Sequence, residues 1–277
     1  MSELRVIPVE GLPEVEEGAK LGDLIAERAD LQAGDVVVIS QKIVSKAEGM
    51  VRKLSDVEPS ERAIELGKRL GKEPGLVELV LSESREILRE DRVLITETHH
   101  GFVCANAGID TSNLPEKGTA CLLPKDPDAS ARAIRKELGT ATGAPGAGVS
   151  STRHSTSSHR RDVSGGGHPR PRPHQPAVVI ADSFGRAWRV GQTEVAIGCA
   201  GLAPLDDWRG RLDAGGKELQ ATEIAIADEV AAAADLVRVK DSGVPAVVVR
   251  GLERYVTAED GSGAAALRRS PAEDLFR

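Results

Sequence analysis

Short runs of β-branched and aliphatic residues recur along the chain, separated by segments whose apolar positions are spaced as in helices. The runs predict strands at residues 4–9, 35–40, 77–81, 93–95, 177–181 and 246–250. Helical spacing predicts helices over residues 22–29, 59–70 and 126–138, and residues 222–237 are predicted to continue a strand into a helix. Strands and helices interleave without strict βαβ regularity, which indicates an α+β fold.

Residues at the helix ends define the expected first and last positions of two of these helices. Pro59 is expected near the first helical position of the second helix, which Gly71 would end. Asp126 is expected to cap the third helix, with Pro127 at its first position and its end before Gly139.

One segment, residues 139–176, departs from this pattern. It is rich in Gly, Pro, Ser and Arg and contains four of the six histidines. Such a composition buries too little apolar surface to offset the entropy of ordering, so it predicts a disordered insertion. The remainder of residues 1–277 is expected to form a single unit, with two subdomains as an option.

Composition excludes several classes of protein. Apolar residues make up 40% of the chain and the net charge is −7, which disfavours nonspecific binding to nucleic acid. Aromatic residues are only 2%, too few for stacking on single strands. Cys104, Cys121 and Cys199 lie far apart, which favours reduced thiols in the cytoplasm. No apolar leader or run of 18 apolar residues is present, so neither secretion nor membrane insertion is expected.

The common nucleotide and hydrolase motifs are absent, but four polar clusters follow predicted strands or fill glycine-rich turns. They are residues 11–14, 40–49, 96–113 and 181–194. Lys42 and Lys46 would share one helix face and could hold phosphate oxygens; a solvated helix start is the alternative. Asp110 and Asp182 are candidate ligands for a hard metal ion, with Ser183 beside the second. The aromatics near the last two clusters fit either a planar ligand or core packing.

Several long blocks together resemble one enzyme family. They include SQKIVSKAEG, ETHHGFVCANAGIDTSN, ADSFGRAWRVGQTEVAIG and GLAPLDDWRGRLDAGGKEL. The chain is identified on these blocks as a member of the coenzyme F420-0:L-glutamate ligase family, outside residues 139–176. The resemblance implies mixed sheets with flanking helices, no phosphate loop and an intertwined homodimer. It implies GTP-dependent addition of L-glutamate to the lactyl-phosphate carboxylate of F420-0 through an acyl phosphate, then by γ-linkage.

The resemblance also assigns residues by matching position. Two Mg²⁺ or Mn²⁺ ions are implied, with Asp110, Asp182 and Ser183 as ligands, and K⁺ is expected to assist. Asp110, Asp182 and Lys46 are the predicted catalytic residues. The predicted nucleotide contacts are Gly11, Leu12, Pro13, Glu14, Ser40, Gln41, Lys46, Asn113, Arg238, Val239, Lys240, Asp241, Ser242, Gly243, Val244 and Pro245. For the deazaflavin ring, position and chemistry suggest His100, Arg186, Trp188 and Arg189.

One departure from the family pattern concerns the second metal. Arg238 and Val239 replace a usual Met-Gly pair, and Lys240 falls where a metal ligand is expected. Because an ammonium group is a poor ligand, Asp241 is the alternative. Two other functions stay open: a metal-dependent phosphohydrolase that uses the same two aspartates, and a nonenzymatic nucleotide- or deazaflavin-binding protein.

Overall fold

A mixed five-stranded sheet forms the centre of the molecule. The computed structural model describes residues 3–141 and 175–274. The sheet order is β1-β12-β2-β8-β9, with β2 and β8 parallel and the other neighbours antiparallel. Its strands are β1 (Arg5–Pro8), β2 (Val36–Ser40), β8 (Ala177–Arg186), β9 (Arg189–Ala200) and β12 (Ala246–Arg250). The predicted α+β class and mixed sheet are confirmed.

Both faces of this sheet are covered, which explains the uninterrupted apolar runs of its inner strands. Val37 and Ile39 of β2 point into one core, and Val36 and Val38 point into the other. The first core packs against α1 (Leu21–Ala26), α2 (Gln41–Ala47) and α5 (Pro127–Ala141). The second packs against α6 (Ile226–Asp235), which follows the short β11 (Glu223–Ile224) as predicted.

A smaller lobe with its own core lies between β2 and β8 in sequence. It contains α3 (Glu61–Leu70), α4 (Pro74–Ser82) and two small antiparallel sheets. Their strands are β3 (Val51–Lys53) with β7 (Thr119–Cys121), and β4 (Ser84–Glu90), β5 (Leu94–Thr98) and β6 (Val103–Ala105). In the main lobe, β10 (Asp206–Asp207) pairs with β11 to form a separate two-stranded antiparallel sheet. The lobe's core includes Met50, Leu66 and Val77.

The strand predicted at residues 77–81 is wrong, because these residues lie inside α4. Pro74 occupies its first turn, and Val77 and Val80, three residues apart, are both buried. The five residues Val-Glu-Leu-Val-Leu, with Glu78 as the single polar position, are too few for periodicity to separate a buried strand from a buried helix.

Helix ends differ in detail from the predictions. The cap of α5 is confirmed, since Asp126 Oδ1 accepts a hydrogen bond from the Ala129 amide at 2.9 Å. The helix does not stop before Gly139 but continues to Ala141. A Cβ on Gly139 would lie 2.1 Å from Gln175 Nε2, so this glycine provides packing space instead of a helix stop. Helix α3 begins at Glu61 with Ser60 as its N-cap, so Pro59 lies before the helix and not near its first position, while Gly71 ends it as predicted. Helix α1 spans Leu21–Ala26 instead of residues 22–29.

The insertion predicted at residues 139–176 is only partly covered by the structure. Residues 139–141 are helical, and Gln175 and Pro176 lead directly into β8. Residues 142–174 lie outside the described part of the chain. Cys104, Cys121 and Cys199 are buried free thiols. Among the described residues, no helix combines the length and apolar character needed to cross a membrane.

Strand β9 packs closely against α5 at Gly198, so a substitution of this glycine tests that packing. A Cβ there would lie 2.3 Å from the Pro127 carbonyl oxygen. We expect Gly198→Ala to lower the free energy of unfolding by about 1–3 kcal/mol, because backbone must move to relieve the overlap. Urea denaturation would measure it. Gly185→Ala in β8, where a Cβ meets nothing within 4 Å, is the matched control. An equal loss in both variants would contradict this account.

Candidate active site

Strand direction brings distant segments to one edge of the main sheet. Because β2 and β8 are parallel, their carboxyl ends meet there, and the antiparallel β12 begins at the same edge. The segment after β1 reaches this edge as well, since β1 runs antiparallel to β12. Crevices outside the carboxyl ends of strands are the usual ligand sites of such sheets.

A cavity of about 580 Å³ lies at this edge. Apart from Gly11 and Ser242, every residue predicted to bind nucleotide or metal lines it. The carbonyl oxygen of Gly11 accepts a hydrogen bond from Arg28 at 2.8 Å, outside the cavity. Ser242 lies in the turn before β12, where its hydroxyl donates to the Val239 carbonyl oxygen at 2.8 Å.

Asp110 enters the cavity from the smaller lobe, where it forms a β-bridge with Cys121. One carboxylate oxygen lies 2.7 Å from Lys42 Nζ, and the other accepts the Ser112 amide at 2.7 Å. Burial raises the pKa of Asp110, but the hydrogen bonds from Lys42 and Ser112 outweigh it and hold that pKa below its usual range. Asp110 is therefore a carboxylate at neutral pH.

Asp182 lies in more negative surroundings than Asp110, although the charge of Lys42 also acts on it. Burial, followed by the negative charges of Glu194 and Asp110, raises the pKa of Asp182 to about 7. Within residues 3–141 and 175–274, no basic nitrogen forms an ion pair with its carboxylate. This concentration of negative charge is suited to a cation.

A divalent ion fits Asp110 and Asp182. Carboxylate oxygens are the ligands that Mg²⁺ prefers, and such ions are often held by one or two carboxylates together with substrate phosphates. Among the described residues, no group of three or more His, Cys, Asp or Glu side chains is arranged to hold a metal by itself. The remaining ligands would therefore come from substrate and water.

The second predicted ion fits this arrangement poorly. Ser183 Oγ donates to Glu194 Oε1 at 2.5 Å and accepts from Lys240 Nζ at 2.9 Å. Arg238 Nη2 lies 2.6 Å from Glu194 Oε2. Two positive charges thus lie against one negative charge at Ser183 and Glu194, whereas Asp110 and Asp182 bring two negative charges against the one positive charge of Lys42. A second cation is therefore repelled where the first is attracted.

Lys46 and Gln41 of α2 have different surroundings. Lys46 Nζ lies 2.5 Å from Glu14 Oε1, which joins the segment after β1 to the helix. The buried Gln41 uses its amide nitrogen to donate to the Leu122 carbonyl oxygen at 2.9 Å and to Ser45 at 2.6 Å. Its amide nitrogen thereby links α2 to the chain after β7.

Two residues of the site were missing from the predicted set. Lys42 was recognised only as a companion of Lys46, but it is the residue that contacts Asp110. Glu194 pairs with Ser183 across the β8–β9 hairpin. A regular count outward from the turn at residues 187–188 would place Gln192 opposite Ser183. The β-bulge between Arg186 and Gly185 shifts the register by two residues and brings Glu194 there, which the sequence alone does not reveal.

The residues suggested for the deazaflavin do not lie together. His100 lines a second cavity, described below. Arg186, Trp188 and Arg189 lie at the exposed tip of the β8–β9 hairpin, where Trp188 is 85% exposed. The structure therefore separates His100 from the other three.

Comparison with known proteins identifies the family of the chain. The family model described as F420-0:Gamma-glutamyl ligase matches residues 11–147 and 173–251. The chain belongs to this family. It is 41% identical over 281 residues to coenzyme F420:L-glutamate ligase from Methanothermobacter thermautotrophicus, covering 99% of each chain. The Archaeoglobus fulgidus enzyme of that name is 39% identical over 275 residues, 99% of this chain and 96% of its own.

The family prediction made from the sequence blocks is thus confirmed. A third relative, coenzyme F420:L-glutamate ligase from Methanopyrus kandleri, is 40% identical over 277 residues, 99% of this chain and 98% of its own. The family model leaves residues 148–172 unmatched, and these lie within the segment of unusual composition.

Proposed function

We propose that this protein is a ligase that joins L-glutamate to the lactyl-phosphate carboxylate of coenzyme F420-0, with GTP as the energy source, and then adds glutamate by γ-linkage. The observation that supports it most is the cavity in which Asp110, Asp182, Lys42 and Lys46 converge, in a chain that belongs to the F420-0:γ-glutamyl ligase family. A K⁺ requirement and a homodimer are parts of the proposal that rest on the resemblance alone.

The proposed chemistry has two steps. A carboxylate oxygen of the acceptor attacks the γ-phosphorus of GTP, and GDP leaves. The glutamate amine then attacks the acyl carbon, an amide forms and phosphate leaves. Phosphoryl transfer depends mainly on positioning and on positive charge near the transferring group.

The chain's own residues are suited to this positioning. Lys42 and Lys46 lie one helical turn apart on α2 and face the cavity, where they can hold phosphate oxygens. Asp110 orients Lys42 through its ion pair. Asp110 and Asp182 would hold one Mg²⁺ or Mn²⁺, which would screen the charge of the phosphates when bound.

Mass spectrometry of the deazaflavin tests the function. Purified protein is incubated with F420-0, L-glutamate, GTP and MnCl₂. A GTP-dependent gain of one or more glutamyl masses supports the ligase. GTP hydrolysis without such a gain would favour the phosphohydrolase, and binding without hydrolysis would favour a nonenzymatic protein.

Lys240 provides a test of the metal content. We expect the nucleotide-free protein to bind one Mn²⁺ per chain, because Arg238 neutralises Glu194 and Lys240 places a further positive charge against the Ser183 hydroxyl. Replacing Lys240 by Ala should allow a second, weaker Mn²⁺ to bind, whereas Lys217→Ala, in the exposed turn at residues 213–217, should not. Titration with Mn²⁺ followed by electron paramagnetic resonance counts the bound ions. Two tight ions in the unchanged protein would contradict this account.

A further inference from the structure

A second cavity, of about 630 Å³, lies beside the first and has no role in the proposal above. Phe102 and Phe184 line its interior, together with His100. Arg85, Arg268 and Arg269 are exposed and line its rim, where they outnumber the carboxylates of Glu97 and Asp274 that also line the cavity. An aromatic interior with a cationic rim indicates a ligand that is both planar and anionic.

Aromatic residues are rare in this chain, which contains three Phe, two Trp and one Tyr, and two of the three Phe form this wall. The rings of His100 and Phe102 are nearly parallel, with centroids 5.8 Å apart and an interplanar angle of 23°. Phe184 meets Phe102 edge-on, at 6.2 Å and 80°. Phe102 is buried and packs with the main core, so this wall is held rigidly.

Arginines give the rim its positive character in an otherwise acidic protein. The guanidinium carbon of Arg268 lies 5.4 Å from the centre of the Phe102 ring. Arg85 forms an ion pair with the buried Glu97 at 2.9 Å, which fixes its position. Guanidinium groups bind carboxylates and phosphates and also stack on planar rings.

The two cavities are linked by β8. From Asp182 to Phe184 the pairing with β9 is regular, Asp182 opposite Val195 and Phe184 opposite Thr193. Residues two apart on a strand share a face and lie roughly 7 Å apart. A ligand whose reacting end lies at Asp182 can therefore extend along β8 to Phe184.

We propose that this second cavity binds the planar deazaflavin ring of the acceptor, against Phe102 and Phe184 and under Arg268. The reacting carboxylate then lies at Asp182 in the first cavity. This inference rests on the proposed function, because that function supplies an acceptor with a ring at one end and a carboxylate at the other.

Equilibrium binding of F420-0, followed by its own fluorescence without GTP or glutamate, tests the site. We expect Arg268→Gln and Phe184→Leu each to raise the Kd for F420-0 about tenfold, and to leave the Kd for GTP unchanged. The control is Arg211→Gln, which removes an arginine that lies 5.1 Å over the Trp208 ring outside both cavities. Circular dichroism of each variant confirms that it is folded.

The outcomes separate this site from the proposed function. Unchanged F420-0 affinity in both folded variants would overturn the ring site, even if glutamate addition proceeds normally. A tenfold loss confined to F420-0 would support the site, even if no glutamate is added. Failure of the unchanged protein to bind F420-0 would overturn both.

Discussion

Replacing Asp182 by Asn is expected to lower kcat for glutamate addition at least about a thousandfold, since a neutral amide cannot compensate the charge of a cation at this position. Asn has nearly the same shape, so the loss would report on charge. Steady-state kinetics by mass spectrometry measure it. Asp207→Asn, at an exposed aspartate outside both cavities, should leave kcat unchanged. A loss below tenfold in Asp182→Asn would contradict the role assigned to Asp182.

The same variant should be more stable than the unchanged protein when metal is removed with EDTA. Burial and the charges of Glu194 and Asp110 raise the pKa of Asp182 to about 7 in the folded state, above its usual value of 3.8. The folded state therefore holds this proton more tightly, and ionisation of Asp182 reduces stability as the pH rises from about 4 to 7. We expect Asp182→Asn to unfold at higher urea than the unchanged protein at pH 8, and the gap to narrow at pH 5. A constant gap would show that Asp182 is not responsible.

The sheet could be predicted from sequence because its inner strands are buried on both faces. Residues 36–39, 177–181 and 246–249 are uninterrupted aliphatic runs, and all three lie in strands. The smaller lobe was harder, because the run at residues 77–81 has a single polar residue, Glu78, which does not distinguish the period of a strand from that of a helix. Its packing on α3 decides the helix, and that contact cannot be seen in one local window.

The site was predictable only as separate segments. Position after a strand marks Ser40 and Asp182 as candidates, but the sequence alone does not place Asp110 beside them, because it comes from the other lobe. The ion pairs between segments far apart in sequence could not be predicted for the same reason. Lys42 meets Asp110, and Arg238 meets Glu194, through the folding of elements far apart in sequence.

Removal of Arg238 should cost more stability than removal of any exposed ion-pair partner. Its side chain and that of Glu194 are 8% and 4% exposed, and Nη2 lies 2.6 Å from Oε2. Breaking a buried pair from one side leaves an uncompensated charge, which costs about 3–5 kcal/mol. We expect Arg238→Met to lower the free energy of unfolding by that amount in urea denaturation. Arg209→Met is the matched control, because Arg209 lies equally close to Asp207 but the pair is about half exposed, so it should lose at most about 1 kcal/mol.

The double variant Arg238→Met with Glu194→Gln distinguishes the buried charge from lost packing. If the charge is responsible, removing Glu194 should restore most of the stability, since no ionised group then remains uncompensated. Failure of the double variant to recover would show that the side chain of Arg238 matters through its contacts.

Glu194 also helps to raise the pKa of Asp182, so Glu194→Gln should lower that pKa. Arg238 therefore limits how strongly Glu194 opposes the ionised form of Asp182, the carboxylate on which the proposed cation site depends.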